Sequence, residues 1–145
     1  MGQLNLKDII VTPLKRIPTK GGDVLHVLRE FDVGYNGFGE VYFSLVKKGA
    51  IKAWKCHQRM TLNLVVPIGE IFFVFHLFEG MNCFRSEKIG ENRYSRLTIP
   101  AGIWFGFQGI SEGSSLLMNF ADIPHDPKEV LHKEISEINY EWRTK

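Results

Sequence analysis

The sequence is poor in the features that mark several large protein classes. It has two cysteines, Cys56 and Cys83, in 145 residues, which is too few for the disulfide framework of a small secreted domain. Its 18 basic and 16 acidic residues leave a net charge of only +2. Composition therefore does not favour binding to nucleic acid or to an anionic membrane surface.

Long apolar runs are also missing. The richest stretch, VVPIGEIFFVFHLF, is interrupted by Pro67, Gly69 and Glu70, so it falls short of the roughly 20 apolar residues that a transmembrane helix needs. The N-terminal sequence MGQLNLKDII has no apolar segment typical of a secretion signal. We therefore expect no membrane span, and the cytoplasm is the predicted location.

The sequence does contain many short strand-like segments separated by glycine and proline turns. Hydrophobic residues make up 44% of the chain, which predicts one domain, residues 1–145, with a substantial core. In the segment EVYFSLV, alternation places Glu40, Tyr42 and Ser44 on one face of a strand. Strands of this length predict an all-β antiparallel sandwich or barrel. After Pro124 the sequence becomes charged, which predicts a short C-terminal helical segment.

The N-terminal part contains two further strand predictions. Residues 4–17 carry Leu, Ile and Val, but Pro13 and Pro18 argue against a central strand. We therefore expect an edge strand or one that is exchanged with another subunit. Pairing with a second copy removes an exposed strand edge, which predicts a homodimer through the N-terminal strand. Residues 24–31, VLHVLREF, are also predicted to form a strand.

Two reactive side chains lie between the predicted strands of residues 49–69. Lys55 and His57 are two positions apart, so they point to the same side of a strand. His57 is a candidate general base, and a cationic Lys55 beside it lowers the histidine pKa and stabilises a developing anion. The roles can also be reversed, because burial lowers a lysine pKa. Strand parity alone leaves a second alternative, in which Trp54 and Cys56 face the interior instead.

The spacing of these residues resembles the first motif of the cupin barrels. Gly49, Lys55, His57, Leu62 and Gly69 fall on the cupin spacing without a gap. The resemblance implies a double-stranded β-helix, also called a jelly-roll barrel. Cupins use the second, third and fourth of these positions for metal ligands, and here only one of them is a histidine. We therefore expect no metal and no other cofactor.

Four longer stretches of the sequence resemble one particular branch of the cupins. They are TKGGDVLHV, KKGAIKAWKCHQ, GEIFFVF and LTIPAGIWFGFQGISE. They resemble the cupin branch that includes the dTDP-4-dehydrorhamnose 3,5-epimerases and the dTDP-sugar 3,4-ketoisomerases. The resemblance implies a homodimeric isomerase that removes and returns protons on a nucleotide-linked 4-keto sugar in surface-polysaccharide biosynthesis.

The catalytic positions of that branch are only partly kept. His57 matches a ketoisomerase active-site histidine, and Tyr42 corresponds to a tyrosine of the ketoisomerase pocket, where it is a candidate proton donor. The tyrosine acid of the epimerases aligns with Met118, and their second barrel histidine aligns with Phe105. The acidic partner of the epimerase base aligns beyond the end of this chain.

The remaining candidates concern binding. Lys52 and Arg59 are predicted to lie near the phosphates, and Trp104 to stack on a base or a sugar face. His125 and His132, in the charged C-terminal part, are predicted to be solvated. Because function depends on the site and not on the barrel, a second function stays open. It is a catalytically silent cupin that binds a sugar nucleotide or a partner protein.

Overall fold

The structure is a computed structural model, and it describes residues 3–78 and 83–143. The elements within these residues are the 3-10 turn Leu6–Asp8, the strands β1 (Ile10–Pro13), β2 (Arg16–Ile17), β3 (Val24–Leu25), β4 (Glu40–Lys47), β5 (Ile51–His57), β6 (Leu62–Ile68), β7 (Glu70–Leu77), β8 (Cys83–Gly90), β9 (Ser95–Ile99), β10 (Trp104–Gly109), β11 (Ser114–Ala121) and β12 (Val130–His132), and the 3-10 turn Ile135–Glu137.

Ten of these strands form two five-stranded sheets. The strand order is β1-β9-β6-β11-β4 in the first sheet and β12-β5-β10-β7-β8 in the second, while β2 and β3 form a separate hairpin. Neighbouring strands within each sheet are antiparallel. Leu64 and Leu117 from the first sheet and Phe73 and Phe105 from the second belong to one buried apolar cluster. The predicted all-β jelly-roll fold is confirmed.

Alternation along β7 and β10 decides which side chains of the second sheet are buried in this core. Phe73, Phe75, Phe105 and Phe107 point inward and belong to the apolar cluster between the sheets. Removing a side chain of this size from water contributes about 1.5–3 kcal/mol to the free energy of unfolding. The intervening residues point to the other side of the sheet, because successive side chains of a strand alternate.

The C-terminal segment covers that other side of the second sheet. Trp54 packs there with Val74 and Ile138, and the rings of Tyr140 and Trp142 lie 6.4 and 5.3 Å from the Trp54 ring. The predicted C-terminal helical segment is a single 3-10 turn that follows β12. No helix in the described part of the chain is long and apolar enough to cross a membrane.

The predicted strand over residues 24–31 is wrong beyond Leu25. Residues 26–39 form an irregular loop instead. The fully buried Arg96 donates hydrogen bonds to the carbonyl oxygens of Val27 and Val33, at 2.8 and 2.6 Å. Side-chain hydrogen bonds of this kind satisfy loop carbonyls that would otherwise need a strand partner. The periodic pattern of the sequence does not reveal such a partner, because Arg96 is about 65 residues further along the chain.

Candidate active site

The side chains of Lys55 and His57 face the interior of the barrel. In the pairing of β5 with β10, Lys55 lies opposite Phe105, which belongs to the core, and Cys56 lies opposite Trp104. The His57 ring stacks on the Phe105 ring, with 6.3 Å between the ring centroids. Trp54 belongs to the cluster on the other side of the sheet. The alternative in which Trp54 and Cys56 face the interior is therefore excluded.

A cavity of about 440 Å³ opens between the edges of the two sheets. Its polar lining includes Lys52 and Lys55 of β5, His132 of β12, Tyr42 and Ser44 of β4, and Asn119 of β11, and its apolar lining includes Leu62, Phe105 and Phe107. Cavities of roughly 300–1,000 Å³ with an apolar lining and a few polar groups are typical of small-molecule sites. The cationic side chains lie on the β5–β12 wall, and the neutral polar ones lie on the β4–β11 wall.

A buried histidine–carboxylate pair lies next to Phe105, which lines the cavity, and neither residue of the pair is itself part of the lining. The distance between His57 Nδ1 and Glu129 Oε1 is 2.7 Å, and the two side chains are 10% and 1% exposed. The other carboxylate oxygen, Glu129 Oε2, accepts hydrogen bonds from the backbone N–H groups of Arg59 and Met60, at 2.9 and 2.7 Å. A carboxylate fixed in this way selects the tautomer in which Nδ1 carries the proton, so Nε2 is left as a free base.

Electrostatics at the site favours a neutral histidine beside a cation. Burial lowers the pKa of His57 below its ordinary value of 6.5; the hydrogen bond to Glu129 opposes this shift, and the Lys55 charge adds to it. Burial also lowers the pKa of Lys55 below 10.5. Burial opposes ionisation of Glu129, but hydrogen bonds from His57 and two backbone groups outweigh it and lower the carboxyl pKa. The lowered pKa of His57 and of Lys55 has the direction that the sequence predicts, and for His57 burial is a larger cause than the Lys55 charge.

Glu129 corrects the expectation that the acidic partner of the base lies beyond the end of the chain. It is 72 residues from His57 in the sequence. The pairing of β12 with β5 brings it there, because Val130, the next residue, lies directly opposite His57. The C-terminal helical segment predicted after Pro124 includes Val130 and Leu131, and these residues form a strand instead.

The other predicted site residues divide into two groups. Tyr42 and Lys52 line the cavity, and burial raises the pKa of the Tyr42 hydroxyl. Arg59 is not among the cavity-lining residues, and its guanidinium forms an ion pair with Asp126 at 3.2 Å. Trp104 is on the opposite side of the sheet from the cavity, because it alternates with the inward Phe105. The structure therefore does not bring Arg59 and Trp104 to the cavity.

Met118, with which the epimerase tyrosine aligns, is not part of the cavity lining. Leu117 and Asn119 point into the barrel, so the intervening Met118 points outward. Asn119 is the residue of β11 that lines the cavity, and its side-chain amide donates to Ser44 Oγ at 3.1 Å. Tyr42, on the neighbouring strand, is the one tyrosine among the described residues that line the cavity.

The cupin metal positions do not fit a metal ion in this chain. Lys55 and Leu62 occupy two of the three ligand positions and are not suitable ligands for a divalent cation, and Phe105, at the position of the second barrel histidine, offers no ligand atom. His57, the remaining one, already uses Nδ1 for its bond with Glu129. Across residues 3–78 and 83–143, no three or more His, Cys, Asp or Glu side chains are grouped so that they can hold a metal ion. We therefore derive no chemical step through a metal.

Known proteins resemble this chain in both sequence and structure. The crystal structure of a dTDP sugar isomerase from Desulfovibrio desulfuricans G20 is 32% identical, with a TM-score of 0.88, over 94% of this chain and 91% of its own. The sugar 3,4-ketoisomerase QdtA from Thermoanaerobacterium thermosaccharolyticum, solved in complex with TDP, has a TM-score of 0.75 at 17% identity, over 89% of this chain and 90% of its own, and shares the fold.

A curated relative gives a similar result. The probable low-salt glycan biosynthesis epimerase Agl13 of Haloferax volcanii is 27% identical over 122 residues, which cover 80% of this chain and 78% of its own. No protein-family model matches the sequence.

Proposed function

The chain belongs to the dTDP-sugar isomerase family within the cupin fold, and from this premise we propose that it is a metal-independent epimerase or ketoisomerase. Its proposed substrate is a nucleotide-linked 4-keto sugar of surface-polysaccharide biosynthesis. The observation that carries the proposal is the buried pair of His57 and Glu129, whose imidazole stacks on the cavity-lining Phe105 and is within electrostatic reach of the cavity-lining Lys55. Enolisation of a ketone requires a base and a cation that stabilises the enolate, and His57 and Lys55 supply these two groups.

In the proposed reaction, His57 Nε2 takes a proton from the carbon next to the keto group. The electron pair of the broken C–H bond moves onto the carbonyl oxygen, and the Lys55 ammonium stabilises the resulting enolate. Glu129 is a positioning residue, which holds the imidazole tautomer and stabilises the imidazolium that forms. Transfer of the neighbouring hydroxyl proton to the enolate oxygen, followed by return of the His57 proton to the former carbonyl carbon, gives a ketoisomerase. Proton delivery by Tyr42 from the opposite wall to the carbon that lost its proton inverts that carbon and gives an epimerase, and the tyrosinate then regains a proton from solvent as His57 releases one.

The substrate-binding part of the proposal rests mainly on Lys52, which lines the cavity on the same wall as Lys55. Arg59 and Trp104 stay out of the proposed site because Arg59 is exposed and paired with Asp126, and Trp104 packs on the other side of the sheet. One domain over residues 1–145 and a cytoplasmic location remain predictions from the composition of the sequence.

Hydrogen exchange tests the proposed reaction directly. The protein is incubated with a panel of 4-keto nucleotide sugars in deuterated water, and NMR follows the protons at C3 and C5. Loss of one of these signals identifies the carbon attacked, and exchange is expected to continue after treatment with a chelator. Binding of nucleotide sugars without exchange across the panel would instead support the catalytically silent cupin.

The activity should depend on pH in a bell-shaped manner. His57 acts as a base only when it is neutral, and its pKa lies below 6.5, so activity is expected to persist at pH 6.5 and to fall in more acidic solution. Lys55 stabilises the enolate only when it is charged, and its pKa lies below 10.5, so activity is expected to decline before pH 10.5. In Lys55→Met, the residual activity should lose the alkaline decline. If that decline persists unchanged, another group causes it.

We also propose that the chain is a homodimer that associates through its N-terminal strand. β1 pairs with β9 on one side and is an edge strand of its sheet. On the opposite edge strand, β4, the side chains of Val41, Phe43 and Leu45 are 48%, 63% and 65% exposed. Such contiguous apolar exposure is typical of interaction surfaces.

Deletion of residues 1–12 tests this association. It removes most of β1 and with it the proposed contact between subunits, so monomers are expected. Because the deletion also leaves β9 as an unpaired edge, the alternative expected result is insoluble protein. Deletion of residues 1–3, which precede Ile10 in the sequence, is the matched control and should leave the protein a dimer. Light scattering measures the mass of both proteins, and a dimer that survives the longer deletion would contradict the proposal.

A further inference from the structure

His132 is a cavity-lining histidine that the proposed mechanism does not use. It lies on β12 directly opposite Lys55 of β5, so the two side chains point to the same side of the sheet. Both line the cavity. The charge of His132 contributes to the lowered pKa of His57, so the two imidazoles are within electrostatic reach of each other. His132 is exposed, in agreement with the sequence prediction that it is solvated, and the prediction did not extend to its place in the cavity lining.

The exposure of the basic side chains increases from the interior of the barrel to the mouth of the cavity. The His57 side chain is 10% exposed, Lys55 is half-buried, and Lys52 and His132 are exposed. A keto-sugar ring whose reacting carbon reaches His57 carries its diphosphate on another carbon of the same ring. The charged phosphates therefore extend towards the mouth, where water also solvates them, and there they meet Lys52 and His132.

We propose that His132 is a diphosphate-binding residue of this site, where its ring N–H donates a hydrogen bond to a phosphate oxygen. The inference rests on the proposed function and deepens it. Lys52, exposed on the same wall, supplies a second positive group. Glu134 and Glu137, which follow His132 in the chain, also line the cavity and repel anions, so the proposed position of the phosphates is beside Lys52 and His132 and away from these two carboxylates. Hydrogen bonds that an anionic phosphate oxygen accepts are charge-assisted and comparatively strong.

Binding of dTDP, thymidine and inorganic diphosphate to the full chain, measured by calorimetry, tests this inference. His132→Gln should weaken the binding of dTDP about tenfold, the loss expected for one charge-assisted hydrogen bond, and should leave thymidine binding unchanged. His125→Gln is the matched control, because His125 is exposed in the same C-terminal region and does not line the cavity. In the exchange assay, His132→Gln should raise KM and leave kcat nearly unchanged.

The possible results separate this inference from the proposed reaction. Equal affinities of wild type and His132→Gln for dTDP would overturn the inference, even if the wild-type protein catalyses exchange. Wild-type protein that binds neither dTDP nor inorganic diphosphate would overturn it as well. If no 4-keto sugar exchanges its protons for deuterium but His132→Gln weakens dTDP binding, the proposed reaction is contradicted and the proposed diphosphate site is supported.

Discussion

Replacement of His57 with asparagine is expected to reduce the rate of deuterium exchange by about 10²–10⁴-fold, the usual contribution of a positioned general base. Asparagine has a similar reach and polarity but no group that accepts a proton at neutral pH. Its side chain still fits beside Glu129, so the cavity is kept. NMR measurement of exchange at C3 and C5, at saturating sugar nucleotide, gives the rate for both proteins.

A control variant and a binding measurement show whether the slower exchange is due to loss of the base. His125→Asn removes an exposed histidine away from the cavity and should exchange at the wild-type rate. The affinity of His57→Asn for dTDP should remain within a few-fold of the wild-type value, because the proposed phosphate contacts lie at the mouth of the cavity. If His57→Asn retains full exchange while Lys55→Met loses it, the reversed assignment applies and Lys55 is the base.

Replacement of Glu129 with glutamine is expected to lower kcat by a similar factor without removing any group that touches the substrate. Glu129 accepts hydrogen bonds from His57 and from the backbone N–H groups of Arg59 and Met60. A glutamine has one acceptor oxygen, and if that oxygen stays on the backbone groups, its NH₂ donates to His57 Nδ1. The imidazole proton then moves to Nε2, and the base is lost. The analogous tautomer change in a serine-protease triad costs about 10⁴-fold in kcat.

The tautomer can be observed directly. In ¹⁵N NMR spectra, His57 should carry its proton on Nδ1 in the wild type and on Nε2 in Glu129→Gln, whereas Glu141→Gln, at an exposed position, should resemble the wild type. An Nδ1–H tautomer that persists in Glu129→Gln together with full activity would contradict the positioning role.

The same substitution should lower the free energy of unfolding by about 1.5–3 kcal/mol, because hydrogen bonds to a buried charged group are lost. The effect should depend on pH. The folded pKa of Glu129 lies below its ordinary value of 4.5, so the stabilisation is fully present above pH 4.5 and disappears as the pH falls through the folded pKa. Urea denaturation of the wild type and of Glu129→Gln measures the difference in the free energy of unfolding at pH 7, and the difference should be smaller at pH 3.

The sequence by itself determined the β class and much of the local geometry. The alternation in β4 placed Tyr42 and Ser44 on one face, and the two-residue spacing placed Lys55 and His57 on one side of β5. These features are local, because side-chain direction in a strand follows from a period of two residues. The cupin-like spacing added the fold, and the resemblance of four longer stretches added the enzyme branch.

Only the tertiary structure decided which face is the interior and which distant residues meet there. The pairing of Lys55 with Phe105 decides the face, and a register shift of one residue would reverse it. The pairing of β12 with β5 brings Glu129 and His132 to the site across more than 70 residues of chain. Trp104 is one residue away from the inward Phe105 and lies outside. Such placements depend on which strands pair with each other, and a local pattern of apolar residues does not determine strand pairing.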